Sequence, residues 1–153
     1  MLTKTTKADF PEDLPVMLIR GEITLAQVFG LDDDSLYEIA RVGYGLLNSG
    51  KLREAKQIYA GLVAADPYDS VFHCHLAVVH HSLGELDDAV THYTQALNLN
   101  RANADALVGL GEIQLSRGEL EAGASALQQA IDLDGDGAKP STQRARALLR
   151  ANA

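Results

Sequence analysis

The chain has 153 residues, of which 46% are apolar and 22% are charged, and its formal net charge is -8. This apolar fraction supports a packed core and excludes an intrinsically disordered chain. The negative charge argues against a nucleic-acid binder, because such a protein must neutralise phosphates.

A single cysteine, Cys74, excludes an internal disulfide and predicts a cytoplasmic location. The first residues lack the apolar segment of a secretory signal. The longest apolar run, residues 58–65, is far shorter than the about 20 residues of a membrane-spanning helix, so no membrane span is expected.

The N-terminal third begins with polar residues, and we expect residues 1–10 to be flexible. Residues 11–30 contain two short apolar stretches that end at Gly21 and Gly30, which predicts two short helices. We expect this segment to cap the rest of the fold or to form a homodimer. Ser35 and Glu38 then stand three residues apart, the spacing of a capping box at the start of a helix.

Three glycines, Gly50, Gly84 and Gly118, are 34 residues apart. Small residues keep the same spacing at 43, 77 and 111, and bulky residues keep it at 59, 93 and 127. Such a period is typical of tetratricopeptide helix–turn–helix repeats, in which small residues allow close helix approach and bulky ones fill the space between repeats. We therefore predict an all-α fold of three tandem repeats flanked by capping helices. The predicted repeats are 35–68, 69–102 and 103–136, with the last repeat helix ending at 133.

Within the repeats, the pattern predicts helices over about 36–48, 52–65, 70–83, 86–98, 104–117 and 120–133. A Gly/Asp-rich break over residues 134–137 follows, and Pro140 is well placed to open a last helix. The C-terminal segment, 139–153, has four arginines and lysines and no acid. We expect a basic helix that either docks on the acidic body or remains solvated.

In a tetratricopeptide array the first helix of each repeat lines a concave groove. The residues predicted to line it are Tyr37, Ala40, Tyr44, Leu47, Val71, Cys74, Val78, His81, Val108 and Glu112. Most are apolar, which suits an extended peptide with aliphatic anchors. Alternatively, the chain's own termini cover this surface as ordinary core. The corresponding repeat positions supply no cation, which excludes a clamp for a C-terminal carboxylate.

Histidines surround Cys74, but no two of residues 73, 74, 75, 80 and 81 are three or four apart. That spacing is needed to bring two ligands, or a thiol and a base, onto one helix face. Residues 132–137 resemble the start of a calcium loop, yet Gln143 stands where the bidentate glutamate is required. We therefore predict no metal, cofactor or catalytic residue; a thiol or metal enzyme around Cys74 is the alternative of a different class.

One junction is more distinctive than the repeat residues. The sequence Asp-Pro-Tyr-Asp-Ser-Val-Phe over residues 66–72, with the short helix after Gly21, resembles the class II chaperones of bacterial type III secretion, the LcrH/SycD-like family. The resemblance covers residues 14–133. It implies a cytosolic chaperone, often dimeric through its N-terminal helices, that holds a translocator segment in its groove.

The family's groove residues match here at Tyr44 and Leu47. Ala40, where the family tends to have tyrosine, and the stretch 73–77 depart from its pattern. We expect a protein client, namely an extended segment of a secreted translocator-like protein. A generic tetratricopeptide scaffold or adaptor in another bacterial assembly is the alternative function.

Overall fold

The computed structural model describes residues 12–153, so the predicted flexible N-terminus (1–10) lies outside the described part. Within it the chain is all-α, as predicted. No helix of residues 12–153 is long and apolar enough to cross a membrane. The helices are α1 (Leu14–Arg20), α2 (Leu25–Val28), α3 (Asp33–Asn48), α4 (Leu52–Ala65), α5 (Ser70–Ser82), α6 (Leu86–Leu99), α7 (Ala104–Ser116), α8 (Leu120–Leu133) and α9 (Pro140–Ala151).

The two short N-terminal helices end as their glycines predict. Gly21 follows α1 with φ 69°, and Gly30 closes the segment after α2 with φ 67°, values in the left-handed region that glycine tolerates best. The side chain of Thr24 caps α2 by accepting a hydrogen bond from the backbone N–H of Gln27 at 3.2 Å. Only Ala26 of these two helices is buried, and Val16, Ile19 and Leu25 are exposed.

The start of α3 corrects the predicted capping box. Asp32, not Ser35, is the N-cap residue, and its carboxylate accepts from the Ser35 backbone N–H at 2.9 Å and from the Ser35 hydroxyl at 2.6 Å. An ionised carboxylate accepts a stronger hydrogen bond than a hydroxyl and also interacts favourably with the positive end of the helix dipole. The helix therefore begins at Asp33, three residues before the predicted start at about residue 36.

The three repeat glycines have the same conformation. Their φ angles are 76°, 78° and 80° at Gly50, Gly84 and Gly118. In each turn the residue after the glycine donates its N–H to a carbonyl five residues earlier, as from Lys51 to Leu46 at 2.9 Å. The glycine N–H also donates to a carbonyl three residues earlier, as from Gly50 to Leu47 at 3.1 Å. These two backbone hydrogen bonds end the first helix and reverse the chain direction in the same way in every repeat.

Small residues bring the paired helices together, as predicted. A Cβ atom on Gly43 would lie 2.9 Å from the Tyr59 ring, and one on Gly111 would lie 3.0 Å from the carbonyl oxygen of Gly123. Ala77 holds the equivalent place in the second repeat and is fully buried. Each repeat therefore closes by direct helix-to-helix contact.

The predicted role of the tyrosines is also confirmed. Tyr59 is buried, donates its hydroxyl to the Ala40 carbonyl at 3.0 Å, and stacks on His75 of the next repeat with ring centroids 5.0 Å apart. Tyr93 is buried against Gly109 of the third repeat. Tyrosines thus fill the space between successive repeats.

The basic C-terminal helix docks on the body instead of remaining solvated. Thr142 and Ala145 of α9 are fully buried, and Ala145 belongs to the apolar cluster of α7 and α8. Before the helix, Asp134 accepts hydrogen bonds from the Thr142 hydroxyl and, at 3.1 Å, from the Lys139 backbone N–H. This docking places the N-terminal turn of α9 beside the first helices of the repeats.

Candidate peptide-binding groove

A cavity of about 790 Å³ opens between the first helices of the repeats and the start of α9. It lies open to solvent along the concave side of the array, and its wall contains both apolar and charged residues. The lining residues are Tyr44, Leu47, Asn48, Cys74, His75, Val78, Tyr93, Asp105, Lys139, Pro140, Ser141 and Arg144.

Four of the ten residues predicted for the groove line this cavity together: Tyr44, Leu47, Cys74 and Val78. Val71 lines a smaller adjoining cavity of about 210 Å³, which shares Cys74 and other wall residues with the larger one. These five residues lie on α3 and α5. The first two repeats therefore contribute most of the apolar surface.

The structure places the other predicted residues elsewhere. Ala40 is buried beneath the Tyr59 hydroxyl, and Val108 is only 1% exposed in the core cluster that includes Ala145 of α9. Helical spacing assigned Val108 to the inward face of α7, but the docking of α9 turns that part of the face into core. Its side chain is therefore not part of the open groove surface.

Three polar or aromatic members of the predicted set lie at the margins. Tyr37 donates its hydroxyl to Asp69 at 2.8 Å and contacts Phe72 with ring centroids 5.2 Å apart. His81 meets Tyr93 edge-on at 6.3 Å, and Glu112 forms an ion pair with α9. None of these three residues is among those that line the cavity.

The rings of Tyr44 and Tyr59 both contact the His75 ring at the junction of the first two repeats. His75 stacks on Tyr59 and meets Tyr44 edge-on at 6.1 Å. Its Nδ1 lies 2.9 Å from the Val71 carbonyl oxygen, and because a carbonyl only accepts, Nδ1 donates this bond. The imidazole is thus held in one orientation, and Tyr44, half-exposed above it, is available to a bound segment.

Two cationic side chains line the groove, although the repeat positions themselves supply none. Lys139 and Arg144 line the cavity from α9, and Arg144 Nε lies 2.6 Å from Glu112 Oε1. Sequence reasoning compared only positions inside the repeats and missed this wall. The signal was the acid-free stretch 139–153 facing an acidic body.

The described termini leave the groove open. The helix α9 forms one wall, and none of residues 12–30 is among the lining residues. Within residues 12–153, a terminus covers the concave surface only at the part of α7 around Val108. In this part of the chain the remaining cavity is open.

Cys74 lies in the cavity wall but is only 4% exposed. Burial, with a smaller contribution from Asp105, raises the pKa of its thiol to about 12. Since the thiolate is the nucleophilic form, the thiol is unreactive at neutral pH. This state does not suit a catalytic cysteine.

We expect Cys74 to react with iodoacetamide at pH 8 at least about 100-fold more slowly in the native chain than in urea, because its pKa is raised and its sulfur buried. Mass spectrometry of quenched samples measures the rate. Equal rates in both conditions would contradict the assigned environment.

Comparison with known proteins agrees with this geometry. Sequence profiles described as "Tetratricopeptide repeat" and "TPR repeat" match residues 43–97 and 79–118. Low calcium response locus protein H of Yersinia pestis is 25% identical over 118 residues, which are 77% of this chain and 70% of that protein.

Solved structures extend the similarity to the whole architecture. A type III secretion complex from Aeromonas hydrophila has a TM-score of 0.78 at 25% identity and covers 92% of this chain and 95% of its own. The translocator chaperone SycD of Yersinia enterocolitica has a TM-score of 0.73 at 25% identity, and the match covers 84% of this chain and 98% of SycD. PcrH in complex with the chaperone-binding region of PopD has a TM-score of 0.70 at 26% identity, and the match covers 80% of this chain and 94% of PcrH.

Three stacked helix–turn–helix units around an open groove define a tetratricopeptide-repeat protein. Within that class, the similarity in sequence and fold to protein H, SycD and PcrH is sustained over most of each chain. The chain contains tetratricopeptide repeats and is similar, at about 25% identity, to the type III secretion translocator chaperone SycD. Its relatives are chaperones, which is a non-enzymatic role.

Proposed function

We propose that this protein is a non-enzymatic chaperone that holds an extended segment of a secreted, translocator-like client in its concave groove, and that it does so in the bacterial cytosol. Relatives support the assignment, since SycD has been solved with a peptide of the translocator YopD, and PcrH with the chaperone-binding regions of PopD and PopB. SycD also forms a dimer in a solved structure.

The observation that carries the proposal is the open cavity between α3, α5 and α9. Its volume of about 790 Å³ lies within the usual range of ligand sites, about 300–1,000 Å³. Tyr44, Leu47 and Val78 offer apolar contact along one side, whereas Lys139 and Arg144 offer hydrogen-bond donors on the other. An extended segment with aliphatic anchors and exposed backbone carbonyls fits such a wall.

Co-purification of the untagged client with the tagged wild-type chain from its native host tests the proposal. We expect one major protein, with long apolar segments able to enter a membrane, to be retained in stoichiometric amount. Retention of a component of another assembly, without such segments, would favour the scaffold alternative. Absence of any stoichiometric protein would contradict both functions.

The two short N-terminal helices, within residues 12–30, support a second proposal, which is that the chain forms a homodimer. Ile19 on α1 is 86% exposed and Phe29 after α2 is 69% exposed, and a monomer leaves this apolar surface in water. We infer that residues 12–30 pair with a second copy. Light scattering after size exclusion is expected to give about twice the monomer mass of 16.4 kDa for the wild type, and the monomer mass for Phe29→Asp.

Leu120→Asp is the control for that experiment, since Leu120 is also exposed but lies on α8. It is expected to remain dimeric. A wild-type chain that stays monomeric at all concentrations, or a Phe29→Asp dimer as strong as the wild type, would contradict the dimer surface.

A further inference from the structure

A cluster of possible metal ligands lies at the helix–turn–helix tip of the second repeat. His80 is in the last turn of α5, Glu85 precedes α6, and Asp88 is in its first turn. One nitrogen or oxygen atom from each lies within 4.8 Å of the others. We propose that His80, Glu85 and Asp88 bind one zinc ion.

The distances suit a tetrahedral ion after small side-chain movements. His80 Nδ1 lies 2.6 Å from Glu85 Oε2 and 3.9 Å from Asp88 Oδ2. Zinc bonds of about 2.0–2.1 Å place neighbouring ligand atoms roughly 3.4 Å apart, between these two values. The imidazole is buried and fixed, whereas the Glu85 side chain is partly exposed and that of Asp88 is exposed, so both carboxylates can adjust.

The ligand chemistry is also that of zinc. One imidazole nitrogen and two carboxylate oxygens are ligands that zinc accepts, and three protein ligands leave a fourth position for water. Magnesium and calcium prefer shells made of oxygen alone, so they are poor matches for His80. The spacing of the histidines and Cys74 along α5 did not indicate this site, because two of its three ligands lie outside that helix. The turn at Gly84 brings in the two acids.

The neighbouring imidazoles form a hydrogen-bonded chain beside the cluster. His73 Nε2 lies 3.0 Å from the Pro67 carbonyl oxygen and must donate. His73 Nδ1 and His92 Nδ1 share a hydrogen bond at 3.1 Å. His92 stacks on His80 with ring centroids 5.4 Å apart, so its ring packs against the proposed ligand and helps to fix its orientation.

One cation already contacts the cluster. Lys56 Nζ of the first repeat lies 2.7 Å from Glu85 Oε2, so zinc must displace it. The Lys56 side chain is partly exposed and borders a cleft of about 560 Å³, into which it can withdraw. The same cleft gives an ion access to Glu85 from solvent. Chelation by three ligands favours zinc over a single flexible ammonium.

Zinc bound here ties the end of α5 to the start of α6. His80 and Val78 are two positions apart on α5, which corresponds to a rotation of about 200° around the helix axis. His80 therefore lies on the opposite side of α5 from Val78, which lines the groove. The ion therefore stiffens the second repeat from behind without entering the groove. This role is independent of which client binds.

The test uses the full untagged chain after chelator treatment, titrated with ZnCl2 by isothermal calorimetry. We expect one saturable site per chain and a higher Tm with zinc. Asp88→Asn is expected to weaken binding at least tenfold. Asp87→Asn is the matched control, because Asp87 is the adjacent exposed acid and pairs with Arg117 at 2.6 Å; it is expected to keep the affinity.

MgCl2 and CaCl2 are expected to give no saturable binding. A wild-type chain without saturable zinc binding would overturn the proposal and leave the cluster as a hydrogen-bonded network between repeats. Binding that Asp88→Asn leaves unchanged, or that Asp87→Asn weakens equally, would overturn it too, because the ion would then lie elsewhere. Both variants change exposed carboxylates, and circular dichroism verifies that they fold.

Discussion

Replacing Val78 with glutamate is expected to abolish retention of the client while leaving helix content unchanged. Val78 is partly buried on α5 and lines the centre of the groove beside Leu47 and Cys74. In the free chain a glutamate there can extend into the cavity, which is open to solvent. In the complex its carboxylate loses water without gaining a partner, which costs several kcal/mol. We expect affinity to fall by at least about 2 kcal/mol, roughly 30-fold.

Leu47→Glu places the same charge on the facing helix and is expected to act in the same way. Leu120→Glu is the charge-matched control, because Leu120 is 55% exposed on α8 and does not line the cavity. Co-purification from the native host measures all three variants, with circular dichroism as the check on folding. Unchanged client retention in both groove variants would contradict the groove assignment.

Gly109→Ala is expected to destabilise the chain although alanine is the better helix former. A Cβ atom at Gly109 would lie 2.6 Å from Cε1 of the Tyr93 ring and closer still to its hydroxyl end. Tyr93 is only 2% exposed, so the ring has little room to retreat. Overpacking costs about 1–3 kcal/mol, and the better helix propensity of alanine returns about 1 kcal/mol, which leaves a net loss of up to about 2 kcal/mol.

Gly45→Ala is the control, because Gly45 lies in α3 with nothing within 4 Å of an added Cβ. It is expected to raise the free energy of unfolding by up to about 1 kcal/mol, the opposite sign from Gly109→Ala. Urea unfolding measured by circular dichroism gives both values. Stabilisation by Gly109→Ala would show that Tyr93 does not pack against α7 as described. Since Tyr93 also lines the groove, Gly109→Ala is expected to weaken client binding as well.

The repeat architecture could be predicted because its signals are local. Glycines at a fixed 34-residue spacing mark turns that all require a positive φ, and Pro140 marks a helix start. The predicted repeat helices consequently agree with the observed ones to within three residues. The largest difference is at α3, where a charged cap at Asp32 extends the helix N-terminally.

The groove could be predicted only in part. Helix periodicity predicts which face of a helix a residue occupies, but it does not predict which other helix packs against that face. Val108 faces the side that the pattern assigned, yet α9 covers it. Whether α9 docks depends on tertiary contacts such as the hydrogen bond from Thr142 to Asp134, which no spacing rule identifies. For the same reason, the approach of Asp88 to His80 across a turn was missed.

Site-specific photocrosslinking in the native host tests the central claim, that the concave groove holds the client, most directly. A photoreactive phenylalanine analogue replaces Tyr44 in the groove or, as control, Leu120 on α8. We predict that Tyr44 crosslinks to one short segment of a single secreted protein with apolar membrane-entering regions, and that Leu120 does not. A client adduct at Leu120 without one at Tyr44 would contradict the groove-bound chaperone.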